Sequence, residues 1–237
     1  MNLILVQISD FIDNDIVKLT DRRFTHIKQV HRASIEQSLK VGMINGDSGI
    51  GTIIGIDDKS VTLKLCLDIP AIPSLPLTLL LALPRPKMLK RILQSVASLG
   101  VKEIYLINSY KVEKSFWSTP VLNEDNLREN LLLGLEQSGD TIMPTVHLKK
   151  RFKPFIEDEL PAIAQDAKKL IAHPYQASKC PQPSAQKTVL AIGPEGGFID
   201  YEVERLREQG FLPISLGQRI LRVETALPVA IGKLFNL

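Results

Sequence analysis

Cysteine is scarce: Cys66 and Cys180 are the only two in 237 residues. They lie far apart and outside any CxxC pair, which excludes a thiolate zinc site, disfavours a structural disulfide and points to a reducing cytoplasm. No apolar run reaches the roughly 18 residues that a membrane helix needs, so no membrane partner is expected. The start, Met1-Asn2-Leu3-Ile4-Leu5-Val6, lacks a basic leader and a small-residue cleavage site and reads as a first strand. Internal repeats, a Walker A loop and the glycine-rich methyltransferase loop of the Rossmann type are all missing. His26 and His31 stand five apart, the wrong spacing for a two-histidine metal face, and no metal is expected. Charge of one sign is also short. A net +3 gives only weak support for a polyanionic partner.

What remains is the balance of a globular protein, with 44% hydrophobic and 23% charged residues, in a chain long enough for one large or two modest domains. Residues 1–70 alternate short apolar runs with turn signals at Asn45-Gly46-Asp47, Gly49-Ile50-Gly51 and Asp57-Asp58-Lys59, which predicts a small β-barrel. One helical piece is expected near Phe24 to Ser34. Three prolines between Ile69 and Pro76 mark residues 71–76 as a linker.

From residue 77 to 237 strands alternate with helices, the pattern of a parallel α/β sheet. Leu77 to Leu83 is apolar throughout, as in a strand buried on both faces. A helix follows from Pro86, with Met88, Ile92, Val96 and Leu99 on one face and Gly100 as its stop. Val101 to Ile107 reads as the next strand, and Leu127, Leu131, Leu132 and Leu135 stripe a second helix. Lys169 to Ala172 and Thr188 to Ile192 are two more buried strands, joined by a flexible loop over Pro174 to Gln186.

The chemistry is concentrated in the last fifty residues. Gly193-Pro194-Glu195-Gly196-Gly197-Phe198 follows a buried strand and precedes a helix that Asp200 can cap and Gly210 can end. Glycines there let backbone amides approach a ligand, and the crevice at the carboxyl end of a parallel strand is where such sheets bind ligands. A tight βα turn is the plainer alternative. Leu216-Gly217-Gln218-Arg219-Ile220-Leu221-Arg222-Val223-Glu224-Thr225-Ala226 comes after another strand, Leu212 to Leu216. Thr225 or Glu224 is placed to cap the last helix, with Pro228 in its first turn. Arg219, Arg222 and Glu224 crowd a loop at a strand end, where a purely structural charge run is out of place.

Together these two stretches resemble the signatures of the family that methylates uridine N3 in small-subunit (16S) ribosomal RNA, within the knotted SPOUT class. Weaker resemblance covers nearly the whole chain, including Arg85-Pro86-Lys87, Leu99-Gly100-Val101 and Glu136-Gln137-Ser138-Gly139. The resemblance implies an α/β fold: a C-terminal SPOUT domain with a parallel sheet and deep trefoil knot, plus a small N-terminal PUA-like β-barrel that binds RNA. It implies S-adenosylmethionine as cofactor, ribosomal RNA within the small subunit as partner, and a homodimer that completes the site. Carried onto this chain, cofactor contacts fall on Gly193, Glu195, Gly196, Leu216, Leu221 and Thr225, with His173 at the pocket edge. Arg222 and Glu224 fall beside the reacting atoms, and Arg219 supports the same loop.

Uracil N3 becomes nucleophilic only once its N–H proton leaves, so a base or a cation near the developing anion is required. Arg222 suits the cation. Glu224 suits an orienting or proton-accepting role, or simply the positive end of a helix. Residues 1–68 hold 8 Lys plus Arg against 9 Asp plus Glu, so any RNA footprint there must be local. The cluster Arg22, Arg23, Lys28 and Arg32 is the candidate, although each of these also reads as a solvated helix charge. Departures from the family pattern occur at His31, Ser95, Ser98 and Asp140, where an arginine is usual at the last. An aspartate facing phosphate would repel it. Methylation of another base or of ribose 2′-OH, and a non-catalytic RNA-binding dimer, therefore stand as alternatives.

Overall fold

The computed structural model describes residues 2–29 and 34–237; His31 and Arg32 lie outside them. Two compact units form, Met1–Pro73 with Leu132–Met143, and Ser74–Leu131 with Pro144–Leu237. The division after Pro73 falls within the expected linker. The grouping of 132–143 with the first unit differs from the sequence reading, which places these residues in the second domain.

In the first unit, β1 (Ile4–Val6), β2 (Phe11–Asp13), β3 (Ile16–Leu19), β4 (Ser38–Met43), β5 (Ser48–Ile56) and β6 (Val61–Ile69) make one curled sheet in the order β1-β4-β5-β6-β3-β2. Its pairings are antiparallel except β1 with β4. Alternation along β3, β5 and β6 turns Val17, Leu19, Ile53, Val61 and Leu63 inward, where they pack with Phe24 and Ile27 of helix α1 (Arg22–Gln29). Gly49-Ile50-Gly51 is not a turn. It lies inside β5 at a register shift, where a Cβ on Gly49 would stand 2.0 Å from the Cys66 carbonyl oxygen. The other two turn signals hold: Asn45 takes a positive φ of 61°, and the Asp57 carboxylate accepts from the backbone N–H of Lys59 and Ser60. Residues 132–143 belong here through hydrogen bonds from Asn2 and Leu3 N–H to the Glu136 carbonyl and from the Thr141 hydroxyl to the Gly46 carbonyl.

The second unit is built on seven strands: β7 (Leu77–Ala82), β8 (Glu103–Ile107), β9 (Thr145–Lys149), β10 (Lys168–Ala172), β11 (Ser178–Lys179), β12 (Thr188–Ile192) and β13 (Leu212–Ser215). Their order is β11-β13-β10-β12-β7-β8-β9, and every neighbouring pair is parallel. β7 and β12 are buried at every position, as their unbroken apolar runs predict. Helix α2 (Pro86–Ser98) begins with Pro86 in its first turn and ends before Gly100, whose φ of +84° is a left-handed stop. Its buried face is Leu89, Ile92, Leu93 and Val96, one step round from the stripe read in the sequence. Helix α3 (Glu124–Ser138) follows, and then a helical stretch over 152–163 with a π turn at Phe155–Glu159.

Helix α4 (Asp200–Glu208) has Ile199, not Asp200, at its cap position, because the Glu202 carboxylate reaches back to the Ile199 N–H at 3.0 Å. Gly210 closes it at φ +84°. Helix α5 (Val223–Leu234) starts earlier than expected, with Arg222 at the cap position and Pro228 inside the helix. The Thr225 and Ala226 N–H groups already bond to the Arg222 carbonyl, so the helix is capped two residues before Glu224 and three before Thr225. Val223, Ala226, Leu227, Ala230, Ile231 and Leu234 are its buried residues.

Candidate active site

In the second unit β10 lies between β12 and β13, so the loops that leave the carboxyl ends of these three strands are neighbours. They enclose a cavity of ≈ 810 Å³. Its apolar wall includes Ile192, Phe198, Val203, Leu221 and Val223, and its polar rim carries both signs of charge, Lys111 and Arg207 against Glu195, Asp200 and Glu204. Leu216 and Leu221 line a smaller adjoining space of ≈ 80 Å³ that shares His173 with the first.

The floor is set by the glycine loop. The Gly197 N–H donates to the Pro194 carbonyl at 2.8 Å, and Gly197 takes φ +70°. A Cβ on Gly193 would come within 2.8 Å of the Phe198 backbone nitrogen, which cannot yield, so this position admits only glycine. Glu195 accepts from the Arg85 backbone N–H at 3.3 Å, tying the loop to the start of α2. The Lys111 ammonium donates to the Gly196 carbonyl at 2.7 Å. Burial pushes the His173 imidazole below its usual pKa, and the nearby Arg207 charge adds to this. The ring also meets Tyr175 edge-on, with 5.8 Å between centroids.

Behind the loop sits a buried carboxylate. Glu202 is 3% exposed and accepts from the Ser109 hydroxyl at 3.1 Å, the Tyr110 N–H at 2.8 Å and the Ile199 N–H at 3.0 Å. It clamps the loop after β8, which carries Lys111, to the loop after β12. Sequence reasoning missed both Lys111 and Glu202. Neither lies in a recognisable pattern, and Glu202 meets its loop partners across some ninety residues of chain.

The structure therefore brings His173, Gly193, Glu195, Gly196 and Leu221 to one cavity and Leu216 to its annex. Thr225 is exposed and lines neither space; its neighbours Val223 and Ala226 do. Arg222 is exposed outside the cavity wall. Glu224 lines a different small cavity with Arg91, Ile92, Ser95 and Leu227, so it does not join the expected constellation within one copy of the chain.

The first unit revises the expected RNA cluster. All five N–H groups of Arg23 are used internally: the Leu5 carbonyl, both Asp10 oxygens and Asp21 accept them. At 8% exposure Arg23 is a buried strut, not a phosphate ligand. Its partners hold its pKa even higher than usual against the cost of burial. Burial opposes ionisation of the Asp21 carboxyl, but hydrogen bonds from Arg23 outweigh it and lower the pKa. Arg22 makes a two-pronged pair with buried Glu136 at 2.7 and 3.0 Å. Lys28 is exposed, 3.2 Å from Asp58, and Arg32 lies outside the described residues. Asp140 is buried and accepts from the Ile142 N–H at 2.9 Å, so it closes the turn after α3 and faces no phosphate.

A parallel sheet with a glycine-lined cavity at the carboxyl ends of its strands is the arrangement with which α/β proteins bind a small ligand. The chain belongs to the RNA methyltransferase family: the family's RNA methyltransferase domain matches residues 71–234, and the RNA methyltransferase PUA domain matches residues 19–66. A ribosomal RNA small subunit methyltransferase E of Treponema pallidum is 29% identical over 232 residues, covering 95% of this chain and 87% of the relative. The ribosomal RNA small subunit methyltransferase E 1 of Borreliella burgdorferi is 26% identical over the whole of both chains. Among solved structures, a ribosomal RNA small subunit methyltransferase E from Neisseria gonorrhoeae bound to S-adenosyl methionine superposes with a TM-score of 0.80. It is 21% identical, covers 98% of this chain and 95% of its own, and supports the fold.

Proposed function

We propose that the chain transfers a methyl group from S-adenosylmethionine to N3 of a uridine in 16S ribosomal RNA, in a cytoplasmic setting. The observation that carries this reading is the convergence of the two motif loops on one cavity, although α4 and β13 separate them in sequence. The names of the Treponema and Borreliella relatives and the ligand of the Neisseria structure point the same way.

The residues present fit such a cofactor. Gly193 leaves a cradle that a Cβ would fill, Ile192, Leu221 and Val223 offer apolar faces to a purine, and the mixed charges of Lys111, Glu195 and Glu204 suit a zwitterionic amino-acid tail. When bound, the cofactor supplies a sulfonium methyl that is already activated. The chain's residues then have two tasks, alignment of the acceptor nitrogen and stabilisation of the charge left when its proton departs. We assign the second to the Arg222 guanidinium. Glu224 we assign to the positive end of α5, since it lies in the first turn and lines a separate space.

A second copy of the chain and a threaded C-terminus belong to this reading. The support for the former is that Arg222 is exposed beside a cavity whose wall it does not join, as expected of a site finished by another subunit. Sedimentation should show a dimer, and a monomer would remove this part. Calorimetric titration with S-adenosylmethionine tests the cofactor assignment: wild type should bind one equivalent per chain, and no heat of binding would overturn it.

A further inference from the structure

A second cavity of ≈ 470 Å³ opens next to the first and shares Pro174, Tyr175 and Ile220 with it. Its remaining lining includes Lys179, Gln218 and Arg219. We propose that this cavity takes one nucleotide of the RNA substrate, with its phosphate between Lys179 and Arg219 and its base against the ring of Tyr175. The inference rests on the reading of the chain as an RNA methyltransferase and adds to it the subsite that receives the acceptor strand.

Whatever base is methylated must reach within roughly 3–3.5 Å of the transferred group, so its nucleotide needs a space contiguous with the ligand cavity. This one is contiguous. Lys179 and Arg219 are both exposed and have no ionic or hydrogen-bonding partner among the described residues, whereas many of the chain's other cations are paired. Two unpaired cations in the lining of one cavity suit a phosphodiester. Tyr175 is 63% exposed and Ile220 74%, so both offer apolar surface to a ligand in this cavity. Aromatic rings beside cationic side chains are how unpaired bases are held.

The site is also built rather than incidental. Lys179 lies on β11, whose pairing sets Ser178 opposite Ile214 and Lys179 opposite Ser215, and the Cys180 N–H adds a bond to the Ser215 carbonyl at 3.2 Å. Ser215 then fixes the loop that bears Arg219. Its hydroxyl donates to the Gly217 carbonyl at 3.0 Å and accepts the Gly217 N–H at 3.3 Å, with Gly217 at φ +146°. Tyr175 is braced by the edge of His173.

The test is fluorescence anisotropy of a short labelled single-stranded oligoribonucleotide containing one uridine, titrated over a range of salt concentrations. Wild type is compared with Tyr175→Leu and with the pair Lys179→Gln and Arg219→Gln, and each variant is also titrated calorimetrically with S-adenosylmethionine. Tyr175→Leu should weaken RNA binding by about tenfold. The paired substitution should reduce the salt slope by about 1–2, with cofactor affinity unchanged in Lys179→Gln, whose side chain lines neither the ligand cavity nor its annex. Circular dichroism melts guard against misfolding, and Lys179→Gln alone, on an exposed side chain, serves if the pair is unstable. RNA affinity and salt slope equal to wild type in every variant overturn the proposal. So does loss of cofactor binding by Lys179→Gln, which would make the cavity part of the cofactor site, or a shift of these variants from dimer to monomer, which would make it a subunit contact. Failure of the wild type to bind S-adenosylmethionine would instead strike the reading beneath, while the RNA titrations still report on this cavity.

Discussion

Glu202 holds Ser109: the hydroxyl donates to the buried carboxylate at 3.1 Å and joins the loop after β8 to the helix that follows the glycine loop. Glu202→Ala strands one buried and two part-buried donors, and we expect a stability loss on the order of 2 kcal/mol in urea unfolding. Glu202→Gln keeps the shape but turns a donor towards donors. It should cost about 1–2 kcal/mol and weaken S-adenosylmethionine binding, because Lys111 and Gly196 then lose their common anchor. Unchanged unfolding midpoints in both variants would show that the clamp holds nothing.

Arg23 and Asp10 form the buried pair of the first unit, 2.6 Å apart, with each side chain about 10% exposed. Removing one partner leaves the other's charge uncompensated, so Arg23→Ala should destabilise by about 3–5 kcal/mol. RNA affinity per folded molecule should not change. A variant of wild-type stability with weakened RNA binding would restore Arg23 to the footprint.

Gly193→Ala should lower S-adenosylmethionine affinity by roughly tenfold or more, because its Cβ would press on the Phe198 nitrogen and displace the loop. At Gly196 the nearest obstacle is the flexible Lys111 side chain, so Gly196→Ala should be milder. Calorimetry of the two variants side by side checks the order, and equal losses would contradict it.

His173 titrates below its ordinary value, first because of burial and then because of Arg207. A depressed histidine pKa means that the unfolded chain binds more protons in the window between the lowered value and about 6.5. Stability from this group is therefore full above that window and falls as pH drops through it. His173→Gln should lose less thermal stability than wild type on acidification from neutral pH, and proton NMR of the His173 ring should give a midpoint under the free-histidine value. A midpoint at or above that value would refute the assignment.

How much of this was legible in the chain differs by residue. Pro86, Gly100 and Gly210 act locally through a fixed φ or a tolerated positive one, so their roles as helix punctuation can be read from the sequence. The apolar runs of β7 and β12 are equally plain, and the glycine and arginine loops betray themselves by composition at strand ends. Cations are different. Arg22, Arg23 and Lys28 look alike in sequence, yet one pairs with Glu136, one is buried on Asp10, and one stays in solvent beside Asp58. Only tertiary structure brings those carboxylates to them. Lys111 and Glu202 escaped notice for the same reason. The stretch over 152–163 was hidden otherwise: Pro154 and Pro161 break the helical pattern, and the π turn shifts its period. Early formation of α5 moved Arg222 to the cap position and left Thr225 outside the cavity it was expected to line.

Arg222→Ala should spare cofactor binding and reduce the methylation rate by about 10²–10³ if the guanidinium meets the charge that develops on the acceptor. An equal loss in cofactor affinity would mean that Arg222 acts in binding instead.

The most direct test of the central claim is nucleoside mass spectrometry of 16S ribosomal RNA. Small subunits lacking the modification are incubated with the purified protein and isotopically labelled S-adenosylmethionine, and the RNA is then digested. We expect labelled 3-methyluridine at one site. Labelled 2′-O-methylated nucleosides, label on another base, or no label at all would contradict it.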